Sequence, residues 1–412
     1  MAVDRSVHRA AHQVMVLGVD SPIGLAMIRE LGRHGVLVHG IGRSPRSLGL
    51  YSRYITSRHV RQDGDEALLA QLLGIAEATD CRWLMTVSEG DICWLQRMRE
   101  RLAPMVVALV PEVLPMARVL DKATTIAVAQ GLGIVTPETW SWPDLAAMER
   151  ALPGLSFPLV LKWSHPARVQ VKLDEIGVAC EKSLYVHDAA QLRAYLERVS
   201  PVGELPLVQR FYPGYGLGQM AYMAGGAALL RFQHRRIAEW PPEGGFSAVC
   251  ESVGLDAHQD LFERSLELLR RLAFSGPAMV EYRFDPQTRQ AVLMEINGRF
   301  WGSLPLAYHA GADFVWTAYA VGALGRTDTV QSAYRVGMRC RYIVPELKRL
   351  LRITFSPGKI QNRALSFSPA KEWLDFLAAY LDPRTRYFVF EVGDPLPFFS
   401  DLWFALTRRW GR

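Results

Sequence analysis

The sequence is poor in the features that would place it in a membrane or outside the cell. No apolar run in its 412 residues approaches the roughly 20 that a membrane-spanning helix needs. Residues 1–13 are polar and basic and lack the apolar core of a signal peptide. Cysteine is scarce. The five present, Cys81, Cys93, Cys180, Cys250 and Cys340, are scattered, odd in number and free of Cys-x-x-Cys spacing. That excludes a disulfide framework and a zinc site of the usual spacing, and the expected compartment is the reducing cytosol. There are no internal repeats, no low-complexity stretch and no biotin-acceptor Met-Lys pair. No serine or cysteine stands in a nucleophile–base constellation.

What is present is a globular composition. Half the residues are apolar and 21% are charged, so two or three domains with sizeable cores are expected. The net charge of +6 is unevenly spread. Residues 331–412 hold 14 Lys/Arg against 7 Asp/Glu, whereas the first 330 hold 33 against 34. The basic character therefore belongs to the carboxyl-terminal segment, and it gives no ground for a nucleic-acid partner.

The densest chemistry lies between residues 279 and 303. Met279 to Phe284 alternates, Asp285-Pro286 signals a turn, and Val292 to Asn297 alternates again. A hairpin centred near Thr288 pairs Phe284 with Val292, Tyr282 with Met294 and Val280 with Ile296. Its other face sets Glu281 opposite Glu295, with Asn297 one step along. Opposed carboxylates repel, so something must offset them. A solvated face is one answer. A divalent cation is the other, since two carboxylates and an amide oxygen make a hard site suited to Mg²⁺ or Mn²⁺. Arg299 follows closely, and a metal beside a guanidinium is what a transferring phosphoryl group requires.

Along the chain, residues 14–41 read as a strand, a helix after Gly24 and a second strand, the opening of a parallel sheet. The spacing is not Gly-x-Gly-x-x-Gly, and no acid ends the second strand, so a dinucleotide site is not favoured. Residues 82–87 form another strand, with Ser88-Glu89-Gly90-Asp91 at its end, where open α/β sheets keep their ligands. Asp121 is a helix N-cap, and Lys122 in the first turn opposes the helix dipole. A phosphate would offset it; a plain surface lysine is the alternative. Residues 157–162 form an apolar strand that ends in Lys162. Residues 205–212 form a strand that runs into Pro213-Gly214. A hairpin turning at Gly225-Gly226 delivers His234, Arg235 and Arg236, followed by Gly244-Gly245. These arginines and the loop could hold an anion or form a solvated hairpin end, and His234 reads as structural.

In this order, the opening strand–glycine unit, Asp121-Lys122, Lys162, residues 209–212 and Glu281…Glu295-x-Asn297-x-Arg299 resemble the ATP-grasp superfamily. The likeness is to the carboxylate–amine ligase type with a carbamoyl-phosphate-synthase-like domain, and it covers residues 14–324. It implies an α/β and α+β architecture: a Rossmann-like domain over 1–115, an ATP-grasp domain over 116–330 whose two subdomains clasp ATP, and a basic extension over 331–412. It further implies that Lys122 and Lys162 touch phosphates. Gln209, Arg210, Phe211 and Tyr212 hold adenine, Glu281, Glu295 and Asn297 hold Mg²⁺, and Arg299 with Arg236 neutralises an acyl phosphate. The implied reaction joins a small-molecule carboxylate to an amine, with ADP released. Carboxylation, carbamoyl-phosphate chemistry and ATP binding without turnover are the alternatives.

Three departures stand out. Many members have Pro at the position of Gly298. Gly216 and Gly218 stand where a ribose-binding Glu is expected. Residues 164–179 contain only Gly177 where a glycine-rich flap is expected. The extension ends in aromatics beside Arg408, Arg409 and Arg412, which suits contact with an anionic membrane face, or equally a homodimer cap or packing on the core.

Overall fold

The computed structural model describes residues 12–407 except 165, 182, 329–332 and 363–364. Residues 1–11 and the final arginines at 408, 409 and 412 lie outside the described residues. Three sheets carry the architecture. The first is parallel and holds β1 (Gln13–Leu17), β2 (Leu37–Gly42), β3 (Ile55–Val60), β4 (Trp83–Thr86) and β5 (Val107–Ala108), in the order β3-β2-β1-β4-β5. The second has β6 (Thr139–Trp140), β7 (Leu159–Lys162), β8 (Leu184–Val186) and β9 (Leu207–Arg210), in the order β6-β9-β7-β8. The third is long and mostly antiparallel. It comprises β10 (Tyr215–Ala224), β11 (Ala227–Trp240), β12 (Phe246–Ser252), β13 (Gly276–Asp285), β14 (Gln290–Asn297), β15 (Arg339–Arg341) and β16 (Thr385–Tyr387), in the order β14-β13-β10-β11-β12-β15-β16. The expected mixture of α/β and α+β units is therefore present.

Local chemistry accounts for the elements nearest the cleft. Asp121 accepts hydrogen bonds from the N–H groups of Ala123 and Thr124, which caps the helix Lys122–Gln130. Gly225 and Gly226 both have positive φ, and β10 turns directly into β11 there. The helix Pro22–Arg33 buries Leu25, Met27, Ile28 and Leu31 against the parallel sheet. That core is continuous with Trp301, Phe314 and Tyr319 beside the third sheet.

Three expectations change. The hairpin register holds only at its base. Glu281 pairs with Glu295 and Val280 with Ile296, but a bulge then shifts Tyr282 onto Leu293 and Phe284 onto Ala291. The extra residue is Met294. With it, Leu293 turns into the apolar cluster that holds Tyr282 and Ile296, while Met294 faces the cleft. Strand β3 was not foreseen, because its alternating residues are too polar to read as apolar on either face. The flap segment instead contains the helix Pro166–Glu175, which buries Val169 and Leu173 near Trp163.

The basic extension is woven into the body. β15 and β16 complete the third sheet, so that sheet draws strands from both sides of residue 330. Farther on, Asp394 is buried beneath the first sheet's domain. It accepts from Arg29 Nε at 3.0 Å, Ser52 Oγ at 2.7 Å and the Arg53 N–H at 2.8 Å. Arg29 also donates to the carbonyls of Val389 and Asp394. Removing the carboxylate leaves a buried guanidinium short of its counter-charge. Asp394→Ala should cost about 3–5 kcal/mol in urea unfolding. A loss below about 1 kcal/mol would show that this contact does not hold the extension.

Candidate active site

A cavity of about 410 Å³ opens between the second and third sheets. That volume lies within the usual range for small-molecule sites. One wall is built from Lys162 on β7, Gln209 and Arg210 on β9, and Phe211 and Tyr212 beyond it. The facing wall carries Arg236, Glu281, Glu295 and Asn297, and Lys122 closes one end. Arg299 is tied to that wall by a 2.9 Å bond from Nη2 to Asn297 Oδ1 and a 3.0 Å bond from Nε to Glu89 Oε1. Lys122, Lys162, residues 209–212, Arg236, Glu281, Glu295 and Asn297 thus line one cleft, and Arg299 is bonded to it through Asn297 without lining it.

The opposed carboxylates are offset from within the protein. Arg236 Nη2 lies 2.5 Å from Glu281 Oε2, and Nη1 lies 3.0 Å from Glu239 Oε1. Arg236 is on β11, Glu281 is on β13, and β10 runs between them. The arginine crosses β10 over Gly216. A Cβ there would stand 2.6 Å from Arg236 Cδ. The glycine that displaces the expected ribose acid is therefore required by this crossing. Burial works against the charge on Arg236, but Glu281 and Glu239 outweigh it and raise its pKa.

Glu239 was not found from the sequence. Alternation puts residues 236 and 239 on opposite faces of a strand, but β11 is bulged between them. Glu239 also bonds Arg283 Nη1 at 3.0 Å, which makes a chain Arg283–Glu239–Arg236–Glu281 along the cleft wall. Burial pushes the Glu239 carboxyl up, but Arg283 and Arg236 more than compensate and hold it below the ordinary range. Tyr185 was also missed. Burial pushes its hydroxyl up to about 12, and it donates to the Glu243 carbonyl at 2.5 Å. His234 is buried and neutral, pushed down to about 3 by burial and by Arg236, with Nδ1 2.9 Å from Ser303 Oγ.

No family model matches the sequence, and no curated protein matches it in sequence. Solved structures do match in shape. A biotin carboxylase from Campylobacter jejuni superposes with TM-score 0.61 at 13% identity, over 79% of this chain and 74% of its own. An L-amino acid ligase from Bacillus licheniformis gives 0.57 at 16%, over 80% and 78%. An N5-carboxyaminoimidazole synthetase from Staphylococcus aureus gives 0.58 at 12%, over 80% of each chain. This is the ATP-grasp fold.

The cleft between the second and third sheets is bordered by the strand end at residues 209–212. At its hinge the N–H groups of Arg210 and Phe211 already donate to the carbonyls of Glu138 and Pro158. Among the described residues the Tyr212 N–H has no backbone acceptor. The Asn297 amide nitrogen faces Glu295 Oε1 at 3.1 Å, and its oxygen faces Arg299. Two carboxylates and an amide on adjacent strands are an all-oxygen donor set, which suits Mg²⁺ or Mn²⁺. Among the described residues no group of three or more His, Cys, Asp or Glu is placed to hold a metal ion, so the amide oxygen of Asn297 is needed to complete this set.

The ion-pair chain has a pH signature. The folded pKa of Glu239 lies below its unfolded value, so its stabilising effect is present above about pH 4.5 and is lost as pH falls through the folded value. Glu239→Gln should flatten the wild-type loss of melting temperature between about pH 5 and pH 3. Parallel curves for the two proteins would contradict this.

Proposed function

We propose that the chain is an ATP- and Mg²⁺-dependent ligase that joins a carboxylate to an amine through an acyl phosphate. The observation that carries this reading is the Glu281–Glu295 pair, set in one cleft with Lys122, Lys162 and Arg236, with Arg299 bonded to the Asn297 that lines it. The γ-phosphoryl group of ATP passes to a carboxylate oxygen and ADP departs. The amine then attacks the acyl carbon, the C–O bond to phosphate breaks, and the amine's proton leaves with the products. Lys122 and Lys162 bind the phosphates as point charges. The Tyr212 N–H and the backbone of residues 209–211 orient the base. Mg²⁺ held by Glu281, Glu295 and Asn297 would neutralise charge on phosphate oxygens. Arg299 and Arg236 stabilise the charge that develops on the transferring group.

The L-amino acid ligase among the structural neighbours supports carbon–nitrogen bond formation, and the biotin carboxylase keeps carboxylation as the second reading. ADP release measured over a panel of amino acids, small carboxylates and bicarbonate separates the two. The units 1–115, 116–330 and 331–412 belong to this proposal as well.

Glu295→Gln should remain folded and lose on the order of 10³-fold in turnover, because an anionic metal ligand is gone. Lys162→Ala should chiefly raise the ATP KM, and Arg299→Ala should chiefly lower kcat. Near-wild-type ADP release by a folded Glu295→Gln protein would refute the assignment.

The extension adds a proposed contact. The helix Leu396–Thr407 packs Phe404 on Tyr51, yet Leu396, Phe399 and Trp403 are 60%, 56% and 64% exposed. No helix among the described residues is long and apolar enough to cross a membrane. We assign these side chains and the neighbouring basic residues to an anionic membrane surface. Vesicles containing phosphatidylglycerol should co-sediment the wild type in low salt, but not Phe399→Ser/Trp403→Ser. Equal sedimentation of the two proteins, or none by either, would overturn it.

A further inference from the structure

A second cavity, of about 420 Å³, lies in the first sheet's domain. Its lining includes Arg43, Arg61 and Arg97, together with Ser88, Trp94 and Asp63. Arg43 follows the end of β2, Arg61 follows the end of β3, and Ser88 stands just past the end of β4. The cavity therefore sits at the carboxyl ends of parallel strands, on the edge where such sheets bind ligands. The opening of the sequence carries no dinucleotide fingerprint, and the function proposed above assigns the cavity nothing.

Its charge is unbalanced toward the positive. Arg61 Nη1 pairs with Asp91 Oδ1 at 2.6 Å, and Asp91 also accepts from Ser88 Oγ at 2.6 Å. That acid is already engaged. Neither Arg43 nor Arg97 has a carboxylate partner among the described residues. Two guanidinium groups without carboxylate partners on one cavity match an anion.

The cavity is not remote from the cleft. The helix Glu89–Arg97 forms a wall of both. Glu89 faces the cleft and holds Arg299, whereas Gly90, Trp94 and Arg97 face the second cavity. A molecule anchored in the second cavity can extend past this helix end toward Arg299.

We infer that the second cavity is a substrate subsite that binds an anionic group, phosphate or carboxylate, on the molecule to be ligated. This rests on the ligase reading for what happens in the cleft, but the binding itself does not. Arg97 and Arg43 hold the anion, and Arg61 is kept in place by Asp91.

The test is calorimetry with inorganic phosphate and with succinate, each in the presence of a non-hydrolysable ATP analogue. Saturable binding of either anion is expected, and the anion that binds identifies the group. Arg97→Ala and Arg43→Ala should each weaken it by about tenfold or more, the scale of a charge-assisted hydrogen bond. Lys162→Ala should not change it. Arg43 and Arg97 are both exposed, so both variants should remain folded. No saturable binding of either anion overturns the inference. So does binding lost in Lys162→Ala and kept in Arg43→Ala, which would place the anion in the main cleft. Failure of the ligase reading shows separately, as absence of ADP release with every substrate offered.

Discussion

Two carboxylates that face each other across a β-ladder repel. Glu281 and Glu295 are in that position, and the surrounding wall is arranged to tolerate them. Arg236 reaches across a whole strand to Glu281, which is why β10 has a glycine beneath it. Glu239 shares the arginine, and Arg283 balances Glu239 in turn. The bulge in β11 exists at the point where this chain of charges needs residues 236 and 239 on one face. The bulge in β14 keeps Glu295 in the cleft while Leu293 returns to the core. Positive and negative groups are thus fixed before any ligand arrives.

The carboxyl-terminal extension supports that arrangement from outside. Gln361 receives a hydrogen bond from the Tyr185 N–H, its carbonyl lies 2.7 Å from His187 Nε2, and its own N–H donates to Glu243. It therefore joins the second sheet to the loop after β11. Tyr185 repeats the link through its hydroxyl. The helix Pro166–Glu175 stands where a mobile glycine-rich segment was expected.

Several parts of the site were legible because they depend on neighbours close in sequence. Period-two alternation on both sides of Thr288 was enough to set Glu281 against Glu295. The Asp121 cap is formed with residues two and three positions along. Lys162 ends a short apolar strand, and its place on the cleft was expected from the family resemblance. Glu239 was hidden because a bulge breaks the alternation from which faces are read. β15 and β16 are three residues each, too short to show a period, and they are strands because a sheet edge lies beside them.

The sequence by itself determined the order of the chemical groups, the local helices and turns that carry them, and the base of the hairpin that opposes two acids. These follow from backbone preference and side-chain periodicity, which act over a few residues. The tertiary structure alone decided how the acids are balanced, where the extension is anchored and that two cavities share one helix. Arg236 meets Glu281 across 45 positions, and Asp394 meets Arg29 across 365. Contacts of that span leave no local pattern, because each partner's neighbours are selected by the packing and not by the chain.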